Sequence, residues 1–135
     1  MENKIGKDGK LGEDNTIQGV FDGQHMVSDD GRIFPVPANY ASKSKLVEGD
    51  RLKLSMEGGM MTYKQTSLVP RIILNGKSGL ISDRIVVICG DNIYQILEAT
   101  IKFFDIKAGE EVLIVVPEDG KAEWAAVEAV IRKKV

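Results

Sequence analysis

The stretch Leu46-Val47-Glu48-Gly49-Asp50-Arg51-Leu52-Lys53-Leu54-Ser55-Met56 decides how this chain is read. From Arg51 to Met56 polar and apolar residues alternate without a break. Period two is the geometry of a strand, so Leu52, Leu54 and Met56 share an inward face while Arg51, Lys53 and Ser55 look out. Gly49-Asp50, just ahead of it, has the composition of a turn. The same logic works outward in both directions. Residues 24–28 and 32–36 flank Asp29-Asp30-Gly31 and predict a hairpin, and Glu57-Gly58-Gly59 turns strand 51–56 into strand 60–66. Pro35 and Pro37 cannot donate to a ladder, so that strand ends as an edge or leaves the sheet. Asn39 is placed to cap a short helix over 40–45 that stops before Gly49.

The pattern then returns. Ile33 falls on Ile93, Phe34 on Tyr94, Val36 on Ile96, Leu46 on Ile106, and Gly49-Asp50 on Gly109-Glu110. Leu52, Leu54 and Met56 fall on Val112, Ile114 and Val116, and Val27 falls on Val87. After one inserted residue Tyr63 meets Trp124. The apolar runs 85–89 and 112–116 predict buried strands, and 100–105 repeats the helix. Each copy reads strand, turn, strand, short helix, Gly-acid turn, strand, turn, strand. A four-stranded unit of this size is marginal alone, so the copies are expected to share one core or to pack tightly. The predicted fold class is all-β to β-rich α+β: a small β-barrel from two tandem pseudo-symmetric ββαββ-like units. Residues 1–15 read as a flexible tail, 16–69 as the first unit, 70–79 as a linker and 80–135 as the second unit.

The chain has 135 residues, 43% hydrophobic, with a net charge of −2. That composition fits one compact domain or two small ones. No apolar run approaches the roughly 20 residues a membrane helix needs, and no secretory leader opens the sequence, so a cytoplasmic location is expected. One cysteine, Cys89, excludes an internal disulfide, and one histidine, His25, excludes a two-histidine metal site. Asp29-Asp30 beside Gly31 reads as a turn rather than an acid–base pair. Asn75-Gly76-Lys77-Ser78-Gly79 lacks the glycine spacing of a phosphate loop and reads as linker. No catalytic residue, metal or cofactor is assigned, and the expectation is a non-enzymatic protein.

One group of residues has the chemistry of a binding surface. Arg51 and Lys53 share the outward phase of their strand, Lys43 and Lys45 lie on or just after the helix, and Arg32 opens the second arm of the hairpin. Together they form a candidate nucleic-acid-binding set for phosphate contact. Tyr40 is the best-exposed aromatic candidate for stacking on a base. Arg132-Lys133-Lys134 reads as a solvated end. The near-neutral net charge argues against a strong phosphate-gripping field.

Residues 30–37, Asp-Gly-Arg-Ile-Phe-Pro-Val-Pro, precede a helix-length gap, Leu46-Val47-Glu48-Gly49-Asp50, an apolar strand and a hairpin ending Met61-Thr62-Tyr63-Lys64. This order resembles the SpoVT/AbrB swapped-hairpin domain: Gly-Arg, strand, Pro, short helix, Leu-x-x-Gly-Asp, strand, hairpin. The tandem copy is similar to MraZ-type regulators. The resemblance implies an interleaved β-barrel that binds DNA. The second copy departs from it. Asp91-Asn92 stand where Gly-Arg would, Leu97 replaces Pro, and Phe103 and Phe104 replace surface cations, so that copy reads as a structural partner.

Three functions follow as expectations. The first is a nucleic-acid-binding, transcription-regulator-like barrel bound to DNA or RNA, with salt-sensitive binding. The alternative is a protein-interaction or accessory module without nucleic-acid binding, whose signature is a contiguous apolar surface patch. The third is a small-molecule site at the barrel mouth. Monomer and homodimer both fit, and an exposed edge is where a second chain would pair.

Overall fold

The structure, a computed structural model, describes residues 16–132. The tail expected over 1–15 lies outside them. The first unit runs β1 (Thr16–Phe21), β2 (His25–Ser28), β3 (Ile33–Pro35), α1 (Ala38–Lys43), β4 (Arg51–Glu57) and β5 (Met60–Ser67). The second runs β6 (Arg71–Ile81), β7 (Arg84–Cys89), β8 (Asn92–Gln95), α2 (Glu98–Phe104), β9 (Glu111–Pro117) and β10 (Ala126–Ile131). Each unit is one antiparallel five-stranded sheet, in the order β3-β2-β1-β4-β5 and β8-β7-β6-β9-β10. The β-rich, pseudo-symmetric fold is therefore the expected one, with one more strand per copy.

The equivalence extends to single hydrogen bonds. Phe21 N–H donates to the Asp50 carbonyl, and Ser78 N–H to that of Glu110, both at 2.8 Å. Gly49 and Gly109, at φ 97° and 91°, return bonds to the Phe21 and Ser78 carbonyls. These are left-handed conformations in which a side chain would be strained, so both Gly-acid turns need their glycine. Leu46 and Ile106 close the two helix ends onto Ala41 and Ile101, both at 3.0 Å. Phe34 faces Met26 as Tyr94 faces Val87, and Leu54 faces Tyr63 as Ile114 faces Val127.

Several expectations need correction. Residues 70–79 are no linker, because β6 occupies 71–81 and is the middle strand of its sheet. Its small residues have a packing reason. A Cβ on Gly76 would press on the Val87 side chain and the Ile88 carbonyl, so glycine here marks close strand approach rather than slack. β1 plays the same central part in the first unit and was likewise missing from the four-strand reading. The helix starts at Ala38 with Pro37 in the cap position and no side-chain cap, so Asn39 lies inside it. The counterpart of Tyr63 is Val127, not Trp124, because a longer loop joins β9 to β10 than joins β4 to β5. The counterpart of Val27 is Ile88, since Gly90-Asp91 makes a tighter turn than residues 29–32.

The alternation places the cores. Leu52 and Leu54 from β4 meet Ile17, Phe21, Met26 and Tyr63 in one buried cluster. Val112, Ile114 and Val116 from β9 meet Val87, Tyr94, Ile96 and Val127 in another. Burying each such side chain contributes about 1.5–3 kcal/mol. There are thus two cores in contact rather than one shared interior, and among the described residues no strand of one unit pairs with a strand of the other. The junction is made by α1 against α2 and by Leu97, which packs on the first core. Glu48 adds a polar clasp: its carboxylate accepts the Glu123 and Trp124 N–H groups at 3.0 and 2.8 Å. No helix among the described residues is long and apolar enough to cross a membrane.

Candidate interaction surfaces

The predicted basic group divides between two places. Arg51 looks out from β4, where its guanidinium makes two bonds to the Asp29 carboxylate, at 3.0 and 2.9 Å. Arg32 pairs with Asp30 at 2.7 Å and lies 5.3 Å from the centre of the Phe34 ring. The Ser28 hydroxyl first, then Arg32, holds the Asp30 carboxyl below its ordinary value. The acidic hairpin turn thus neutralises both arginines. Lys45 lies just past α1 and pairs with Glu128 of the second unit at 3.1 Å, joining the two halves. Lys43 is exposed in the last turn of α1. Tyr40 is half-buried, its ring 6.2 Å from that of Tyr63 and packed against the first core. Lys43 and Lys53 have no ion pair among the described residues, and the register sets Lys53 directly opposite Lys64 of β5.

The outward faces of the two sheets differ at matched positions. In the first unit, Gln18, Lys53 and Lys64 form one cross-strand row and Thr16, Ser55 and Thr62 the next. In the second, the same rows read Asn75, Leu113, Ala129 and Ile73, Val115, Ala126. A third row joins Ile93, Ile88, Lys77, Glu111 and Ile131 across all five strands. Ile73, Ile88, Ile93 and Ile131 are 57%, 38%, 51% and 41% exposed. Four large aliphatic side chains thus share this face, against Ile33 and Met60 on the outward face of the first sheet.

The Gly-acid turns carry a matched pair of ionic clasps. Asp50 is fully buried and accepts from the Val47 and Val69 N–H groups, Gln65 and Arg71. Its counterpart Glu110 accepts from the Lys107 N–H and from Arg132. Arg132 also donates to the Phe104 and Asp105 carbonyls at 2.8 Å, so it is a clasp and not part of a frayed end; Lys133 and Lys134 lie outside the described residues. The Arg132 hydrogen bonds, then the Lys107 N–H, bring the Glu110 carboxyl down to about 2.

Where the units meet, a void of about 10 Å³ lies among Phe21, Gly23, Ala41, Leu97 and Trp124. That is room for one water at most and none for a substrate. The open depressions on the surface, such as the one beside Phe103, are shallow. His25 stands on β2 and the Cys89 thiol on β7 points at the Asn75 carbonyl, so the two never meet.

Sequence reasoning missed Lys64, Ile73, Leu113 and Glu128. Alternation through 60–66 carried the signal for Lys64, which shares the phase of Met60 and Thr62. Ile73 was concealed by the linker reading, and Leu113 by an apolar run that does not say which side is covered. No family model matches this chain, and neither a curated protein nor a solved structure matches it either.

Proposed function

We propose that this protein is a non-catalytic interaction module that docks another protein on the outward face of its second sheet. One observation carries the reading: Ile73, Ile88, Ile93 and Ile131 are exposed on a single face. Left in water they add little to folding, and covering them with a partner removes apolar surface from water. The ion pairs of Arg32, Lys45 and Arg51 support the same reading, since they engage three of the five predicted phosphate contacts. The test is affinity capture with the full chain from its source cells. A specific partner should be retained by the native chain and by Lys64→Glu, and lost from Ile73→Glu/Leu113→Glu. Equal retention by all three overturns the reading.

A nucleic-acid-binding regulator of the SpoVT/AbrB kind is the second reading, and Lys53 beside Lys64 favours it. Like charges directly opposite in a sheet repel, and an anion laid across them would relieve that. Filter binding of DNA and RNA tests it. Complexes at low salt that weaken steeply with added salt and with Lys53→Glu support it. No complex at low salt removes it.

A further inference from the structure

We propose that the partner on this face is a second copy of the chain, paired through the second sheet about a twofold axis. The proposal rests on the docking reading above and adds the occupant. The argument is self-complementarity. β6 and β9 are neighbours, and Lys77 of one stands opposite Glu111 of the other in the outward row. No ion pair joins them, and Lys77 has none elsewhere among the described residues, while Glu111 accepts from Asn75 at 2.5 Å. The row therefore holds one cation and one anion at its middle, with Ile88 and Ile93 on one side and Ile131 on the other.

A twofold axis along the strands and above the β6–β9 seam lays β6 of one copy over β9 of the other. Lys77 then faces Glu111 of the second copy, and Glu111 faces the second Lys77. Ile88 covers Ile131, and Ile73 lies over the stretch of β9 that holds the buried Val115, each twice. An isologous interface requires this kind of patch, because each residue must suit the counterpart that symmetry supplies. Opposite charges meet in the Lys77 row and aliphatic side chains meet at Ile88 and Ile131, while Asn75 falls on Leu113. The first sheet fails the same operation: an axis above its β1–β4 seam brings Gln18 over Lys53 and leaves Lys64 with no anion in that row. At ~4.8 Å per strand and ~3.3 Å per residue, the face spans about 24 by 20 Å. The two copies together bury about 1,000 Å² at most, the range of weak interfaces, so a reversible dimer is expected.

Sedimentation equilibrium of the full chain, from about 1 to 200 μM, tests this. The native chain should pass from monomer to dimer in that range. Leu113→Glu should stay monomeric throughout, and Lys53→Glu, at the matched place on the first sheet, should dimerise as the native chain does. Lys77→Glu and Glu111→Lys alone should each weaken the dimer at least tenfold, and the two together should restore it to within about threefold. Far-ultraviolet circular dichroism checks that every variant is folded. A native chain monomeric at 200 μM, a dimer indifferent to Leu113→Glu, or a double variant no better than either single one overturns the proposal. The docking reading has its own result in the capture experiment. Monomers that still lose a different partner with Ile73→Glu/Leu113→Glu sink only the self-pairing.

Discussion

The two units have one backbone plan and opposite surfaces. Strand order, the Gly-acid turns and the acid–arginine clasps match, yet Lys53 and Thr16 on one outward face become Leu113 and Ile73 on the other, and Ser55 becomes the buried Val115. Inward positions had to stay apolar in both copies, since each sheet must bury one side to be stable. Outward positions carry no such demand, so a duplicated plan is free to diverge there, and function is sought where it has diverged.

The largest expected effects test whether the units are equivalent inside. Leu54→Ala and Ile114→Ala each remove a fully buried side chain from its own core, and each should cost about 3–4 kcal/mol in chemical denaturation. With two separate clusters, hydrogen exchange should rise mainly in β1–β5 for the first variant and in β6–β10 for the second. Uniform loss of protection in both would mean the cores act as one.

The clasps come next and should differ. Asp50→Ala strands a mostly buried Arg71 and three further donors, at a cost of about 3 kcal/mol. Glu110→Gln sits in a wetter site and should cost far less at neutral pH. Its signature is pH dependence. The folded value of about 2 lies below the ordinary 4.5, so the support Glu110 gives is present above about pH 4.5 and is lost as pH falls through 2. Acid titration of Glu110→Gln should therefore show a flatter loss of stability over that window than the native chain. An identical profile would mean the clasp is broken in solution.

Close strand contact follows. A Cβ on Gly19 would meet only backbone atoms of Val27 and Ser28, whereas on Gly76 the nearest atom is a Val87 methyl. Gly19→Ala should thus cost about 2 kcal/mol and Gly76→Ala somewhat less, because within 3.0 Å a Cβ on Gly76 meets one backbone atom, the Ile88 carbonyl oxygen, where one on Gly19 meets three. The smallest effect lies on the first outward face. Lys64→Glu replaces repulsion with attraction opposite Lys53 and should raise stability by a few tenths of a kcal/mol. A loss there would show that the two lysines are held apart by other contacts.

Legibility followed local pattern. The alternation of 51–56 placed β4, and its echo placed β9, Phe34 with Tyr94 and Leu54 with Ile114. β6 was lost because Gly76, Ser78 and Gly79 resemble a linker until a neighbouring strand shows what they accommodate. Three of the six candidate binding residues, Arg32, Lys45 and Arg51, proved to be committed to acids two to more than eighty positions away, and a spacing rule cannot foresee such pairs.

By itself the sequence determined the β-rich class, the tandem plan and the inward phase of the strands around 51–56 and 112–116, because period, turn chemistry and apolar phase act over a few residues. Only the tertiary structure decided that the cores are separate, that three of the five candidate cations are already paired, and that the outward faces differ at matched central positions. Those outcomes depend on which distant strands lie side by side, and that register is set by the packing of the whole sheet.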